Sequence, residues 1–148
     1  LLNHVQGVYA QAPILANAYI DKDPSIQSLF ECDGYAGMDL ALVAALTKLY
    51  DPKETYSFDP FAWPLHANQD LLRDLPPHYI SVNELDPHRD EGIAYVRKLL
   101  DAGVVASSRT INGTLHVADM KFRKEAPDIF FDTIGSIKSF ADRVSSGI

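Results

Sequence analysis

Residues 78–104 read HYISVNELDPHRDEGIAYVRKLLDAGV, the stretch that says most about architecture. His78 to Asn83 are rich in β-branched and aromatic types, which predicts a buried strand. A loop follows, Glu84-Leu85-Asp86-Pro87-His88-Arg89, and then a well-punctuated helix. Asp90 and Glu91 stand in its first turn, Arg97 and Lys98 near its end, and Gly103 just past it. Ile93, Val96, Leu99 and Leu100 form its expected core stripe. Val104 to Ile111 read as a further strand. Two strands joined through a helix make a right-handed crossover in a parallel sheet.

Working outward, residues 7–11 (Gly-Val-Tyr-Ala-Gln) predict a first strand, ended by Pro13. Residues 14–34 mix Pro24, Ser25, Ser28, Asp33 and Gly34 with scattered apolar groups and read as an irregular connection. Met38 to Tyr50 contain strong helix formers and neither Gly nor Pro, so a helix is expected there with its Leu and Ala side chains in a core. Residues 51–66 carry Pro52, Pro60 and Pro64 among Phe58, Phe61 and Trp63, as suits an ordered loop lying against a core. A short helix is expected at 67–73. Beyond the last strand, Asn112-Gly113 reads as a turn, and a closing helix is predicted over 122–144 with Pro127 near its effective start. Phe130, Ile134, Ile137 and Phe140 or Ala141 would be its buried stripe. The alternation of strands and helices makes the class α/β.

A length of 148 residues is about one domain, and 47% hydrophobic with 22% charged residues is an ordinary globular composition. Thirteen Lys and Arg against twenty Asp and Glu give a net charge of −7, which disfavours nucleic acid and anionic membrane surfaces as partners. No apolar stretch approaches the ~18 residues that span a bilayer. The single cysteine, Cys32, cannot form an internal disulfide and is expected as a partly buried free thiol. Leu1-Leu2-Asn3-His4 shows neither an initiator Met nor a leader pattern, as fits a chain that has lost an N-terminal part, so it does not decide the location, for which the cytoplasm is favoured. His4, His66, His78 and His88 lack metal-ligand spacing, so no metal and no cofactor is expected. Asn112-Gly113-Thr114 is formally a glycosylation acceptor, better explained as a tight turn.

In parallel sheets ligands gather outside the carboxyl ends of the strands, so the loops after 83 and 111 are where chemistry is sought. One carries Asp86 and the other His116. An imidazole acting as general base needs a carboxylate on its far nitrogen, and two adjacent strand ends would bring these groups together. The residues alone equally fit Asp86 as a cap of the helix near Asp90 and His116 as an ordinary loop residue.

The run Asn83-Glu84-Leu85-Asp86-Pro87-His88-Arg89-Asp90-Glu91-Gly92, with the helix, the Gly103 stop, a strand and then His116, resembles the C-terminal part of the hormone-sensitive-lipase-like α/β-hydrolases. Within that family it is most similar to the brefeldin A esterase type. Asp59-Pro60-Phe61-Ala62-Trp63-Pro64 and Asp33-Gly34-Tyr35 extend the likeness over residues 7–145. The resemblance implies that Asp86 is the triad acid and His116 the triad base of a serine carboxylesterase acting on small esters or lactones. It implies no catalytic role for Asp90 or Glu91. The alternative is a non-catalytic module that keeps the hydrolase fold to bind a partner or an apolar ligand.

Two departures stand out. His116 is followed by Val117-Ala118 where many members have Gly and an aromatic. No serine has Gly two residues before and two after it, and no Gly-rich oxyanion loop is present, although acyl transfer needs both. The expectation is therefore that residues 1–148 are the C-terminal portion of one α/β-hydrolase domain, with 14–50 a connection and cap segment. The N-terminal half would come in cis or as another chain. Alone, the chain is expected to be inert for want of those parts, and to aggregate or stay partly unfolded because the strand at 7–11 needs a partner on its outer edge.

Overall fold

The computed structural model describes residues 4–17 and 24–147. Residues 18–23 of the expected irregular connection lie outside them. Three strands, β1 (Val8–Gln11), β2 (His78–Leu85) and β3 (Ala106–Leu115), form one parallel sheet in the order β1-β2-β3 among the described residues. The helices are α1 (Ser28–Glu31), α2 (Leu40–Tyr50), α3 (Gln69–Leu72), α4 (Arg89–Asp101), α5 (Ala118–Lys121) and α6 (Pro127–Ser146). The α/β class and the parallel crossovers are as the sequence predicts.

Alternation along β2 divides the molecule. Ile80 and Val82 point to one face and pack with Tyr95, Val96 and Leu99 of α4 and with Leu15, Leu72 and Val104. Burying side chains of this size contributes roughly 1.5–3 kcal/mol each, so this layer is the main apolar core. On the other face Tyr9 stacks on Tyr79 at 5.0 Å, and Phe140 of α6 meets Tyr9 edge-on at 5.9 Å. The two faces thus use different chemistry, aliphatic under α4 and aromatic and polar under α6.

The approach of α4 to the sheet depends on Gly92, where a Cβ would lie 2.5 Å from Val82 Cγ1 and 3.2 Å from Ile80 Cγ2. Gly92→Ala should therefore destabilise by about 1–3 kcal/mol despite alanine's better helix propensity, because the gap is filled already. Denaturant unfolding measures it; an unchanged midpoint would show that α4 can lift without cost.

Several expected boundaries and faces are corrected. Leu100 is 52% exposed, and Tyr95 takes the buried position in its place. In α2 only Val43 and Thr47 are buried, while Leu42, Leu46 and Leu49 are exposed. Trp63 is buried as expected of its loop, but Phe58 and Phe61 are exposed rather than laid on a core. The closing helix does not run from 122: α5 is a separate short turn and α6 starts at Pro127, in the first turn where its missing N–H costs nothing. Thr133 rather than Ile134 faces the sheet, since the polar groups beneath α6 need a partner there. The Asn112-Gly113 turn is instead a bulge inside β3. Asn83 pairs with Ile111 and Leu85 with Leu115, so four steps of β3 match two of β2, with Gly113 at φ 69°.

Candidate active site

Asp86 follows the last residue of β2 and is fully buried. Its Oδ1 accepts the backbone N–H of His88 at 2.9 Å, and its Oδ2 lies 2.8 Å from His116 Nδ1. The two readings open at the sequence level are thus compatible, since one oxygen organises the turn into α4 and the other meets the imidazole. A carboxylate only accepts, so Nδ1 carries the proton and Nε2 keeps the lone pair. Asp86 is walled off from water, whereas the His116 side chain keeps 18% of its surface. The arrangement can hold a proton at Nε2 and stabilise the imidazolium that results.

The His116 loop is held by a residue that sequence reasoning missed. Asn83, fully buried on β2, donates from Nδ2 to Thr114 Oγ1 at 2.8 Å and to Asp119 Oδ1 at 3.0 Å. Its Oδ1 accepts Val117 N–H at 3.0 Å. Val117 sits at φ 50°, ψ 19°, left-handed backbone that a β-branched side chain adopts only at a cost of about 1–2 kcal/mol. This is the position where the resemblance calls for Gly, and Val117 takes a left-handed conformation there. The Asn83 bond is one interaction that holds it.

Asp119, also buried, gathers three donors: Gln11 Nε2 at 2.8 Å, Asn83 Nδ2, and Thr133 Oγ1 at 2.8 Å. Arg109 extends the network, bonding Thr133 Oγ1 at 2.6 Å and Ser81 Oγ at 3.0 Å. All three strands, α5 and α6 therefore meet behind the histidine. The only sequence signal for this was a polar Asn83 at a buried strand position.

Glu91 was expected merely to favour a helix start. It is fully buried, with Oε2 accepting Leu15 N–H at 2.8 Å and Ala16 N–H at 3.0 Å, and Oε1 facing His88 Nδ1 at 3.0 Å. His88 is itself buried, and its ring centroid lies 5.8 Å from that of His116.

On the outer side of α4, Arg89 bonds Asp90, Glu31 and the Glu84 carbonyl. These bonds hold its guanidinium charged beyond the ordinary arginine range, with Asp90 the main cause. Burial works to raise the Asp90 carboxyl, but Arg89 and Ser28 outweigh it and keep it below the usual range. Cys32 is buried near this cluster, and desolvation pushes its thiol up, as an unreactive cysteine requires.

An apolar cleft of about 350 Å³ is lined by Ile14, Met38, Val43, Leu46, Tyr50 and Trp63 among others. Of the three rings of the 51–66 loop, Trp63 lines this cleft. Among the described residues no cluster of three or more His, Cys, Asp or Glu could hold a metal, and no helix is long and apolar enough to cross a membrane.

Comparison with known proteins places this geometry in context. A family model described as the alpha/beta hydrolase fold matches residues 4–120. The chain is 29% identical to an arylesterase of Saccharolobus solfataricus over 72% of its own length and 34% of that protein's. It is 34% identical to the esterase LipI of Mycobacterium tuberculosis over 64% of its own length and 29% of that protein's. Among solved structures it superposes on brefeldin A esterase, a bacterial homologue of human hormone sensitive lipase, with a TM-score of 0.90 and 40% identity. That match covers 95% of this chain and 40% of the other. Esterase Est22 with p-nitrophenol gives a TM-score of 0.75 and 36% identity, covering 92% of this chain and 39% of that one. The chain spans about a third of the length of these two curated relatives.

Proposed function

The chain belongs to the α/β hydrolase fold family, and on that premise we propose that it supplies the acid, Asp86, and the base, His116, of a serine carboxylesterase. The observation that carries this reading is the 2.8 Å contact between His116 Nδ1 and a buried Asp86 at adjacent strand ends. Esterase relatives support the reaction class. Residues 1–148 are then one portion of a single hydrolase domain, with 14–50 as connection and cap. The nucleophilic serine and the oxyanion donors come from the N-terminal half, in cis or on another chain, whose backbone pairs with the free side of β1.

His116 Nε2 takes the serine hydroxyl proton as Oγ forms its bond to the ester carbonyl carbon. Collapse of the tetrahedral intermediate breaks the bond to the alcohol oxygen, which receives that proton from Nε2 and leaves. Water then gives a proton to Nε2 and attacks the acyl carbon; the serine oxygen departs with the proton and the carboxylic acid is released. Asp86 keeps the imidazole oriented throughout and faces each imidazolium. No cofactor is called for. The apolar cleft beside Trp63 suits an acyl or aryl group, and the arylesterase and p-nitrophenol relatives make a p-nitrophenyl ester of short acyl length the first substrate to try.

Residues 1–148 are purified alone and assayed on such an ester, then assayed with the N-terminal half added or fused. Hydrolysis is expected only in the second case. Turnover by 1–148 unaided would overturn both the serine mechanism and the division of the site between two segments.

A further inference from the structure

Resting on the acid and base assignments above, we propose that Glu91 and His88 are positioning residues for them: Glu91 locks His88, which holds Asp86 with its backbone and confines His116 with its ring. The two oxygens of Glu91 have separate tasks. Oε2 anchors the segment after β1 through Leu15 and Ala16, and Oε1 receives the Nδ1 proton of His88 at 3.0 Å. That bond fixes the plane and tautomer of the His88 ring. The same residue's backbone N–H holds Asp86 Oδ1 at 2.9 Å, which leaves Oδ2 aimed at His116. The His88 ring then stands 5.8 Å from the His116 ring, tilted by 60°, and bounds that side of it.

Helix capping does not account for an imidazole at this place. His88 is the N-cap of α4, yet its side chain makes no capping bond, and Ser, Thr, Asp or Asn would cap better. A buried carboxylate–imidazole pair also gains little over an apolar isostere in stability, because desolvation offsets the attraction. Glu91 could keep Leu15 and Ala16 without it. The other charged groups nearby are committed elsewhere: Arg89, Asp90 and Glu31 to one another, Glu84 to Gly113, and Asp119 to Gln11, Asn83 and Thr133. What His88 adds is a fixed wall and a fixed backbone on either side of the Asp86–His116 contact, and orientation of this kind acts on turnover.

The test uses the full-length enzyme and three variants. In Glu91→Gln the amide oxygen still accepts Leu15 and Ala16, while its NH2 must donate to His88 Nδ1 and so drives the His88 proton to Nε2. We expect kcat to fall about tenfold with KM within twofold, and the low-field proton resonance of the Asp86–His116 bond to shift or broaden. His88→Gln keeps a donor toward Glu91 and should recover part of that resonance but not the ring wall, with kcat again reduced. His116→Ala serves as the reference. Wild-type kcat in Glu91→Gln and His88→Gln, with His116→Ala inactive, would overturn the positioning role and leave the esterase assignment standing. Activity surviving in His116→Ala would overturn the assignment itself. A change confined to KM would point to the Leu15–Ala16 anchor instead and also overturn the positioning role.

Discussion

His116→Ala in the full-length enzyme should lower kcat/KM for an activated short-chain ester by about 10⁴-fold or more while the protein stays folded. In the proposed mechanism the imidazole carries a proton in both half-reactions, so its loss would remove the base for acylation and the acid for departure of the alcohol. Folding should survive because the His116 ring keeps part of its surface and its hydrogen bond among the described residues runs to Asp86. Asp86 would still hold the His88 N–H. Circular dichroism and thermal melting check the fold, and steady-state kinetics check the activity. A loss of less than tenfold would move the base to another residue.

The second large effect is on stability. Asp119→Ala deletes the acceptor shared by Gln11, Asn83 and Thr133 and takes one hydrogen bond from each of three donors behind the histidine. Each unpaired buried donor costs about 1–3 kcal/mol, and the coupled network makes a total of about 3–5 kcal/mol the expected result. Asp119→Asn retains one acceptor oxygen and should fall between. Activity should drop with stability, because Asn83 keeps only Thr114 as an anchor and its grip on Val117 loosens. Urea unfolding of both variants measures this; a loss under about 1 kcal/mol for the alanine would mean that water replaces the carboxylate at no cost.

What could be read from the sequence follows from how local each signal is. The β2–α4 crossover was legible because its alternation and end signals all fall within 78–104. The meeting of Asp86 with His116 was legible from topology, since adjacent parallel strands bring their exits together whatever the details of the loops. The burial of Glu91 was not, because it depends on backbone donors from Leu15 and Ala16, more than seventy positions away, and a Glu in a first helical turn has a sufficient local explanation. The same holds for Asp119, whose partners are drawn from β1, β2 and α6. The α2 leucines misled in the opposite direction. Helix formers predict a helix correctly, but which face is covered depends on what surrounds it.

The bulge in β3 carries a surplus of two residues, and the evenness of that number matters. A surplus of one would have exchanged the faces of everything beyond it and turned Leu115 away from the side it shares with Ile111. With two, parity is conserved: Leu85 still finds Leu115, and the ladder resumes as if Asn112 and Gly113 had never been written. The pair is grammatically optional for the sheet, like a parenthesis. Its length sets how far along the strand the chain has travelled when it delivers His116, so this is where the reach of the base can be edited without rewriting the scaffold.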